Sequence, residues 1–148
     1  MGNYKATSID DIWPEISALF KDYADEVLGI PEKLAPSKER YEAMQAAGLL
    51  HVFEYRLTSG ELAGWATFFI TRHAHVDAVV ATQDSLYVKR EHRGLGAMKF
   101  MAWCDAKVGE MGAKYVIRQV TPGCDYSALL QNMGYRVLEM AFIKKVGE

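Results

Sequence analysis

The segment from Leu86 to Phe100 constrains the fold of this chain most strongly, because a strand-like stretch passes through a glycine-containing turn directly into a helical pattern. Gly94 and Gly96 lack the Cβ atoms that would keep an oxyanion away from main-chain N–H groups. The first turn of the following helix adds unpaired N–H donors and the positive end of the helix dipole. The turn therefore predicts a site for a phosphate-like anion between a strand and a helix.

Two well-known glycine motifs do not fit this turn. A P-loop ends in Gly-Lys-Ser/Thr, whereas Gly96 is followed by Ala97 and Met98. The dinucleotide fingerprint requires a glycine where Lys99 stands, and it follows the first strand of repeated βαβ units. The turn is therefore neither a P-loop nor a Rossmann loop.

The turn resembles motif A of the GCN5-related N-acetyltransferase (GNAT) superfamily, whose pattern is Arg/Gln-x-x-Gly-x-Gly/Ala. Arg93 and Gly96 match this pattern, and Met98 departs from it at the last position. The longer family run L-x-V-x-P-x-x-R-G-x-G also covers the preceding strand, with Arg90 in place of the proline. The resemblance implies that acetyl-CoA binds through the strand, the turn and the start of the helix, at Leu86, Tyr87, Val88, Arg93, Gly94, Leu95, Gly96, Ala97 and Met98.

The same resemblance implies an enzyme, an acetyl-CoA-dependent N-acetyltransferase in which a primary amine attacks the thioester directly in a ternary complex. The alternative is a non-catalytic protein of this fold that binds CoA or a protein partner. The acceptor is expected to be a small-molecule or protein amine, and many relatives pair as homodimers. The histidine-containing stretch before the Asp-x-Leu-x-Val run is also similar to small acetyltransferases of bacteriophages.

Composition limits the remaining classes of function. The chain has 148 residues, of which 50% are hydrophobic, and this suits one domain over residues 1–148. A formal charge of −2 argues against a nucleic-acid partner. The basic residues near the turn favour a small polyanion, although a solvated basic helix start explains them equally; they are Lys89, Arg90, His92, Arg93 and Lys99.

The two cysteines, Cys104 and Cys124, form no CxxC motif, and no secretory leader is evident. We therefore expect a reduced, cytoplasmic setting. No apolar run approaches the roughly 20 residues that span a bilayer, so no membrane partner is expected.

Hydrophobic periodicity and turn residues predict the element order β-α-α-β-β-β-α-β-α-β, which the GNAT family also shows. The fold class is α/β, with a mixed, mostly antiparallel twisted sheet of six to seven strands and about four helices on both faces. Asp10 or Asp11 is expected to cap the first helix, with Pro14 in its first turn. Residues 135–145 are expected to form a closing strand or one half of a hairpin.

Asp84 is the candidate general base, because an alkylammonium must lose a proton before it attacks. Strand alternation would put Asp84, Leu86 and Val88 on one face. A turn cap or a surface ion pair explains Asp84 equally well. The resemblance implies a tyrosine acid at position 130, where this chain has Leu130, so Tyr126 one helical turn earlier is the candidate acid, with packing as the alternative.

His73 and His75 stand at i and i+2, with Asp77 as the nearest further ligand type. No second His or Cys pair has zinc spacing, so no metal is expected. A histidine could instead act as a base or line the acceptor pocket, and surface positions are the other interpretation. The acidic residues in the region that joins the first two helices suit a cationic acceptor such as a lysine, a polyamine or an aminoglycoside-like molecule, or form an ordinary solvated face; they are Asp22, Asp25, Glu26 and Glu32.

Overall fold

The computed structural model describes residues 2–29 and 33–148, and in these residues five strands form one sheet. The strands follow one another in the order β1-β2-β3-β4-β5; the last pair is parallel and the others are antiparallel. The elements are β1 (Gly2–Thr7), α1 (Ile9–Ser17), α2 (Phe20–Glu26), α3 (Lys38–Ala46), β2 (Leu50–Leu57), β3 (Leu62–Arg72), β4 (Val79–Val88), a short 3-10 helix (Arg90–His92), α4 (Leu95–Glu110), β5 (Tyr115–Ile117) and α5 (Ser127–Asn132).

Helices cover both faces of the sheet, because alternate strand residues point to opposite sides. On one face, α1, α2 and α3 pack over residues such as Val52, Trp65 and Tyr87. On the other face, α4 and α5 pack over residues such as Phe53 and Phe68. The predicted α/β class, the mixed sheet and the helices on both faces are thus confirmed.

The register of β3 against β4 contains a β-bulge. Thr67 pairs with Ser85, but the next residue of β3, Phe68, pairs with Gln83. Asp84 is therefore the extra residue of the bulge. Such a residue lies outside the regular alternation of a strand, and the local twist increases around it.

The parallel ladder between β4 and β5 is short. It joins Val80 to Tyr115 and ends where Thr82 pairs with Ile117. Beyond this point β4 continues to Val88 while β5 has ended, so the second half of β4 has no strand partner on that side among the residues that the structure describes. The sheet therefore opens at the bulge.

The helix starts differ in detail from the expectation. Ser8, and not Asp10 or Asp11, caps α1, because its Oγ accepts from the Asp11 N–H at 3.1 Å. Pro14 lies inside α1 and not in its first turn. The apolar pattern from Ile12 to Val27 predicts one helix, but the structure divides this stretch into α1 and α2. Ser37 caps α3, because its Oγ accepts from the Arg40 N–H at 3.3 Å. The sequence Gly29-Ile30-Pro31 predicts the end of the first helix, and residues 30–31 lie outside the described residues.

The predicted number of strands was too high. Residues 136–148 contain no strand in the structure, and their apolar side chains are exposed, including Phe142 at 90%. The alternating apolar pattern suggested a closing strand, but the last strand in the sheet order, β5, has three residues. The structure therefore has five strands and five α-helices in the described ranges 2–29 and 33–148, with no helix there long and apolar enough to cross a bilayer.

Two glycines provide a test of how closely β3 packs against β4. A methyl group at Gly64 would meet the Tyr87 carbonyl oxygen well inside van der Waals contact, whereas one at Gly109 in α4 would meet nothing within 4 Å. We predict that Gly64→Ala lowers the free energy of unfolding by about 1–3 kcal/mol. Gly109→Ala should raise it by about 0.5–1 kcal/mol, since alanine favours the helix.

Urea denaturation measures both changes. Equal effects of the two substitutions would contradict the close approach of β3 to β4 at Gly64.

Candidate functional site

The glycine turn ends β4 and begins α4, as the sequence predicts. Gly94 is the N-cap of α4 and has φ +127°, a conformation that side chains disfavour. The N–H groups of Leu95, Gly96 and Ala97 lie in the first turn of a 16-residue helix, where the helix itself supplies no acceptor. Leu95 is 62% exposed, so the turn faces solvent. The arrangement presents main-chain donors to an anion.

Gly96 has a different role from the one expected. A Cβ atom there would overlap the Tyr55 phenol oxygen, and the Gly96 carbonyl accepts from the Tyr4 hydroxyl at 2.9 Å. The absent side chain therefore lets the start of α4 pack against β1 and β2. The prediction that it clears a path to an anion is corrected.

Several of the other residues predicted to bind the cofactor have side chains packed in the core, which leaves only their main-chain groups for a ligand. The side chains of Leu86 and Val88 lie in the core beneath α4, and that of Tyr87 lies in the opposite core. These three residues can therefore contact a ligand through their main chain. The Met98 N–H already donates to the Gly94 carbonyl at 3.0 Å.

Glu26 of α2 binds the arginines of the turn. Its Oε1 accepts from Arg90 Nε at 2.9 Å and from Arg93 Nη2 at 3.1 Å, and its Oε2 accepts from the Tyr87 hydroxyl at 2.7 Å. Arg93 Nε also donates to the Val88 carbonyl at 2.8 Å. Lys89 pairs with Glu61 at 2.9 Å. Three cations of the predicted basic cluster therefore already have carboxylate partners.

The Glu26 carboxylate is held as an anion in this position. Burial alone would raise its pKa, but the hydrogen bonds from Tyr87 and Arg90 and the charges of both arginines lower the pKa below its ordinary value. The same carboxylate adds to burial in raising the pKa of the Tyr87 hydroxyl. Glu26 thus occupies the place beside Arg93 that an anionic ligand would also favour.

The bulge turns Asp84 toward the helices α1 to α3. Its Oδ2 accepts from Thr67 Oγ1 at 2.8 Å and from the Tyr41 hydroxyl at 3.0 Å. Leu86 and Val88 face the other side, so the prediction that Asp84 shares their face is wrong. The alternation failed because Asp84 is the extra residue of the bulge.

Asp84 lies in a cavity of about 410 Å³ between the sheet and the helices. Trp65, Thr67 and Ser85 line the cavity from the sheet, and the helices contribute mainly aromatic side chains. Burial and then the Asp84 charge raise the pKa of the Tyr41 hydroxyl. Tyr41 is therefore a neutral donor to Asp84 at physiological pH.

Tyr126 lies at the start of α5, near the open edge of β4. Its hydroxyl is 3.4 Å from Gln83 Nε2 and 3.4 Å from the Gln119 carbonyl oxygen. Burial raises its pKa, so the phenol keeps its proton at neutral pH. Leu130, at the family's tyrosine position, is buried in the core beneath α4.

Tyr23 lies near both Asp84 and Tyr126. Burial raises its pKa to about 12, and the Asp84 charge and the Tyr126 hydroxyl add to the shift. The ring of Tyr23 also lines the cavity. Both predicted catalytic residues are therefore within electrostatic range of one tyrosine.

Arg118 fixes Gln83 in front of Tyr126. Its side chain is fully buried, donates to Gln83 Oε1 at 2.7 Å and pairs with Asp105 at 2.7 Å. The Tyr135 hydroxyl accepts from Arg118 and donates to Asp105. The position of Gln83 is thus set by a closed polar network.

Sequence reasoning missed Tyr23, Tyr41 and Thr67. The two tyrosines fit the apolar faces of their helices, and helical spacing alone could not distinguish a cavity wall from a core position. Thr67 carried a signal, since it is a polar residue within the otherwise apolar run of β3 and is 2% exposed.

The histidines show no metal site. The His75 N–H donates to His73 Nδ1 at 3.0 Å, and Asp77 pairs with Arg72. Among the described residues, no group of three or more His, Cys, Asp or Glu side chains is placed to hold a metal ion.

Two of the acidic residues expected to attract a cationic acceptor are paired within the protein. Asp25 pairs with Lys21 at 2.7 Å and Glu26 binds the arginines of the turn. Asp84 is the one carboxylate among the cavity-lining residues that the structure describes. Glu32 lies outside the described residues.

Comparison with known proteins identifies the fold. No protein-family model and no curated protein matches the sequence. Solved structures match over nearly their whole length. A ribosomal-protein-alanine N-acetyltransferase from Brucella melitensis biovar Abortus 2308 is 17% identical with a TM-score of 0.77, and the match covers 100% of this chain and 99% of that one. Glucosamine-6-phosphate N-acetyltransferase from Arabidopsis thaliana is 14% identical with a TM-score of 0.73, and the match covers 99% of each chain. An aminoglycoside acetyltransferase from an uncultured soil metagenomic sample also matches (16%, 0.70, 97% of each).

The fold class follows from these structural similarities together with the strand, turn and helix at Leu86–Phe100. The chain has the fold of the GCN5-related N-acetyltransferases.

The contact between Gly96 and Tyr55 predicts a specific rescue. Gly96→Ala should lower the free energy of unfolding by about 1–3 kcal/mol through overpacking. Adding Tyr55→Phe, which removes the overlapping oxygen, should recover part of that loss. Urea denaturation of the wild type, both single variants and the double variant gives the coupling, and strict additivity would contradict the contact.

Proposed function

We propose that this protein is an acetyl-CoA-dependent N-acetyltransferase that acetylates a primary amine. The observation that carries the proposal is the juxtaposition of the solvent-facing glycine turn, the unpaired half of β4 and the cavity that contains Asp84. These three features lie along one strand. An extended thioester could therefore be held by the turn at one end and presented to the cavity at the other.

The residues present fit the phosphate part of acetyl-CoA. First-turn N–H groups at Leu95–Ala97 and the Arg93 guanidinium are suitable partners for a diphosphate. The unpaired edge of β4 suits the amide groups of an extended ligand, in the manner of an added strand. Acetyl-CoA would supply the acetyl group as an activated thioester.

Asp84 is proposed as the base. It would take the first proton from the acceptor ammonium, directly or through water, and release it to solvent. The neutral amine nitrogen then forms the new bond to the acetyl carbon as the carbon–sulfur bond breaks, and the nitrogen gives its second proton to Asp84, which passes it to solvent. Solvent also restores the proton of the acid that protonates the sulfur. Thr67 and Tyr41 both donate to Oδ2 of Asp84. They therefore fix the carboxylate and leave Oδ1 for the acceptor.

Tyr126 is proposed as the acid that returns a proton to the departing sulfur. Its hydroxyl keeps its proton at neutral pH, because burial raises its pKa. Gln83, fixed by Arg118, orients the phenol. No residue of the chain needs to act as a nucleophile, so Cys124 has no part in this reaction.

Glu26 provides a test of the turn as a diphosphate site. Glu26→Gln removes a carboxylate that competes for Arg93 but keeps an acceptor for Tyr87, so it should tighten acetyl-CoA binding about 3- to 10-fold. Arg93→Glu should weaken binding at least about 10-fold by charge repulsion. Calorimetric titration with acetyl-CoA measures both.

Asp22→Asn is the matched control, since it removes an equal charge one turn earlier in α2 and should leave the Kd nearly unchanged. Wild-type affinity in both the Glu26 and the Arg93 variants would remove the turn from the acetyl-CoA site.

Asp84 and Tyr126 are tested by kinetics. Asp84→Asn and Tyr126→Phe should each lower kcat by about 100-fold or more and leave the Kd for acetyl-CoA unchanged. Because the pKa of Tyr126 is raised above its ordinary value, loss of its proton should not reduce kcat below about pH 10. Thiol release over pH 6–10 measures both effects.

Asp11→Asn, an exposed carboxylate on α1, is the control for the kinetics. Unaltered kcat in both the Asp84 and Tyr126 variants would refute their roles. Binding of acetyl-CoA without thiol release from any amine would refute catalysis itself.

A further inference from the structure

Aromatic side chains form most of the helical wall of the cavity. Adjacent rings follow one another from Tyr41 to Trp13 (centroids 6.3 Å apart), to Phe20 (5.2 Å), to Trp65 (6.4 Å) and to Tyr23 (5.9 Å). All five line the cavity. Four of them are only half-buried, so they still expose ring surface to the cavity. This wall comes from three helices and one strand.

Among the described lining residues, the negative charge of the cavity is concentrated at one point. Asp84 lies at the sheet side, held by Tyr41 and Thr67 through Oδ2, and its Oδ1 accepts no hydrogen bond from the described residues. Lys33 is the one cation among the lining residues that the structure describes, and it is exposed. A ligand with one positive charge is therefore favoured over one with several.

We propose that the acceptor is an aryl-alkyl monoamine, with its ammonium group on Asp84 and its aromatic body against Trp13 and Phe20. The proposal rests on the N-acetyltransferase function and names its substrate class. Aromatic rings prefer edge-to-face and offset contacts with other rings, and ring faces also attract an ammonium group. A cavity of about 410 Å³ suits a molecule of this size.

Other amine classes fit this cavity less well. A polyamine or an aminoglycoside carries several charges, and among the described lining residues one carboxylate and the nearby Lys33 do not balance them. A peptide amino terminus would place amide groups against the aromatic wall, where the rings offer few hydrogen-bond partners. The aromatic wall therefore selects a substrate that is largely apolar apart from its amine.

The test compares kcat/KM for 2-phenylethylamine and tryptamine with that for spermidine, kanamycin and an alanine-initiated peptide, by thiol release at saturating acetyl-CoA. Both aryl amines should exceed the other three by at least about 10-fold, the factor that two aromatic contacts supply. Faster turnover of spermidine, kanamycin or the peptide would overturn the proposal.

Paired tryptophan variants assign the preference to the cavity. Trp13→Leu removes one of the two aromatic contacts and should raise the KM for 2-phenylethylamine about 3-fold, with little change for spermidine. Trp103→Leu, on the opposite face of the sheet against Tyr4 and Phe53, should leave both KM values unchanged. An equal effect of the two variants on the aryl amine would also overturn the proposal, and circular dichroism confirms that each variant is folded.

Failure of the substrate class and failure of the enzyme are distinguishable. Turnover of a non-aryl amine above the aryl amines overturns the substrate class and leaves the enzyme. Absence of thiol release with all five amines, in protein that binds acetyl-CoA, counts against the aryl amine proposal and the N-acetyltransferase together. In the acetylation of tryptamine, inhibition by 2-phenylethanol as strong as inhibition by 2-phenylethylamine would exclude Asp84 as the partner of the ammonium group.

Discussion

The β-bulge at Asp84 is the constraint on which the rest of the site depends. One extra residue in β4 brings a carboxylate to the face covered by α1, α2 and α3, while Leu86 and Val88 return to the α4 side. The parallel ladder to β5 ends two residues before the bulge, at Thr82. The bulge, the Asp84 carboxylate and the open edge of β4 therefore lie at the same place in the sheet.

The two faces of the sheet serve different purposes. The α4 face packs closely, with residues such as Phe100, Cys104 and Val108 fully buried, and so fixes the helix whose first turn supplies the N–H donors. The opposite face is less completely filled and retains the aromatic cavity. Helix α2 connects the cavity to the glycine turn. Its Phe20 and Tyr23 line the cavity, and its Glu26 binds Arg93 of the turn.

Much of the fold was readable from the sequence, because it depends on local signals. Strand alternation, Gly94 and the apolar stripe of α4 placed the turn correctly. The closing strand was wrong because alternation in residues 135–145 shows that a segment can form a strand and does not show that a partner edge exists. The division between α1 and α2 was missed because their apolar faces are continuous in sequence.

The site was only partly readable for the same physical reason. Asp84 was recognised by its chemistry, but its face was not, since a bulge breaks the periodicity from which faces are inferred. Tyr41 and Tyr23 could not be recognised, because their contact with Asp84 arises from helices distant in sequence. The missing side chain of Gly96 was assigned to anion access, whereas in the structure it makes room for Tyr55, a residue that a pattern confined to the turn does not contain.

A crystal structure with acetyl-CoA tests the central claim most directly. We expect the diphosphate on the N–H groups of Leu95–Ala97, Glu26 displaced from Arg93, and the thioester beside the unpaired half of β4 at the mouth of the Asp84 cavity. A diphosphate bound away from this turn, or a thioester that does not reach the Asp84 cavity, would contradict the account.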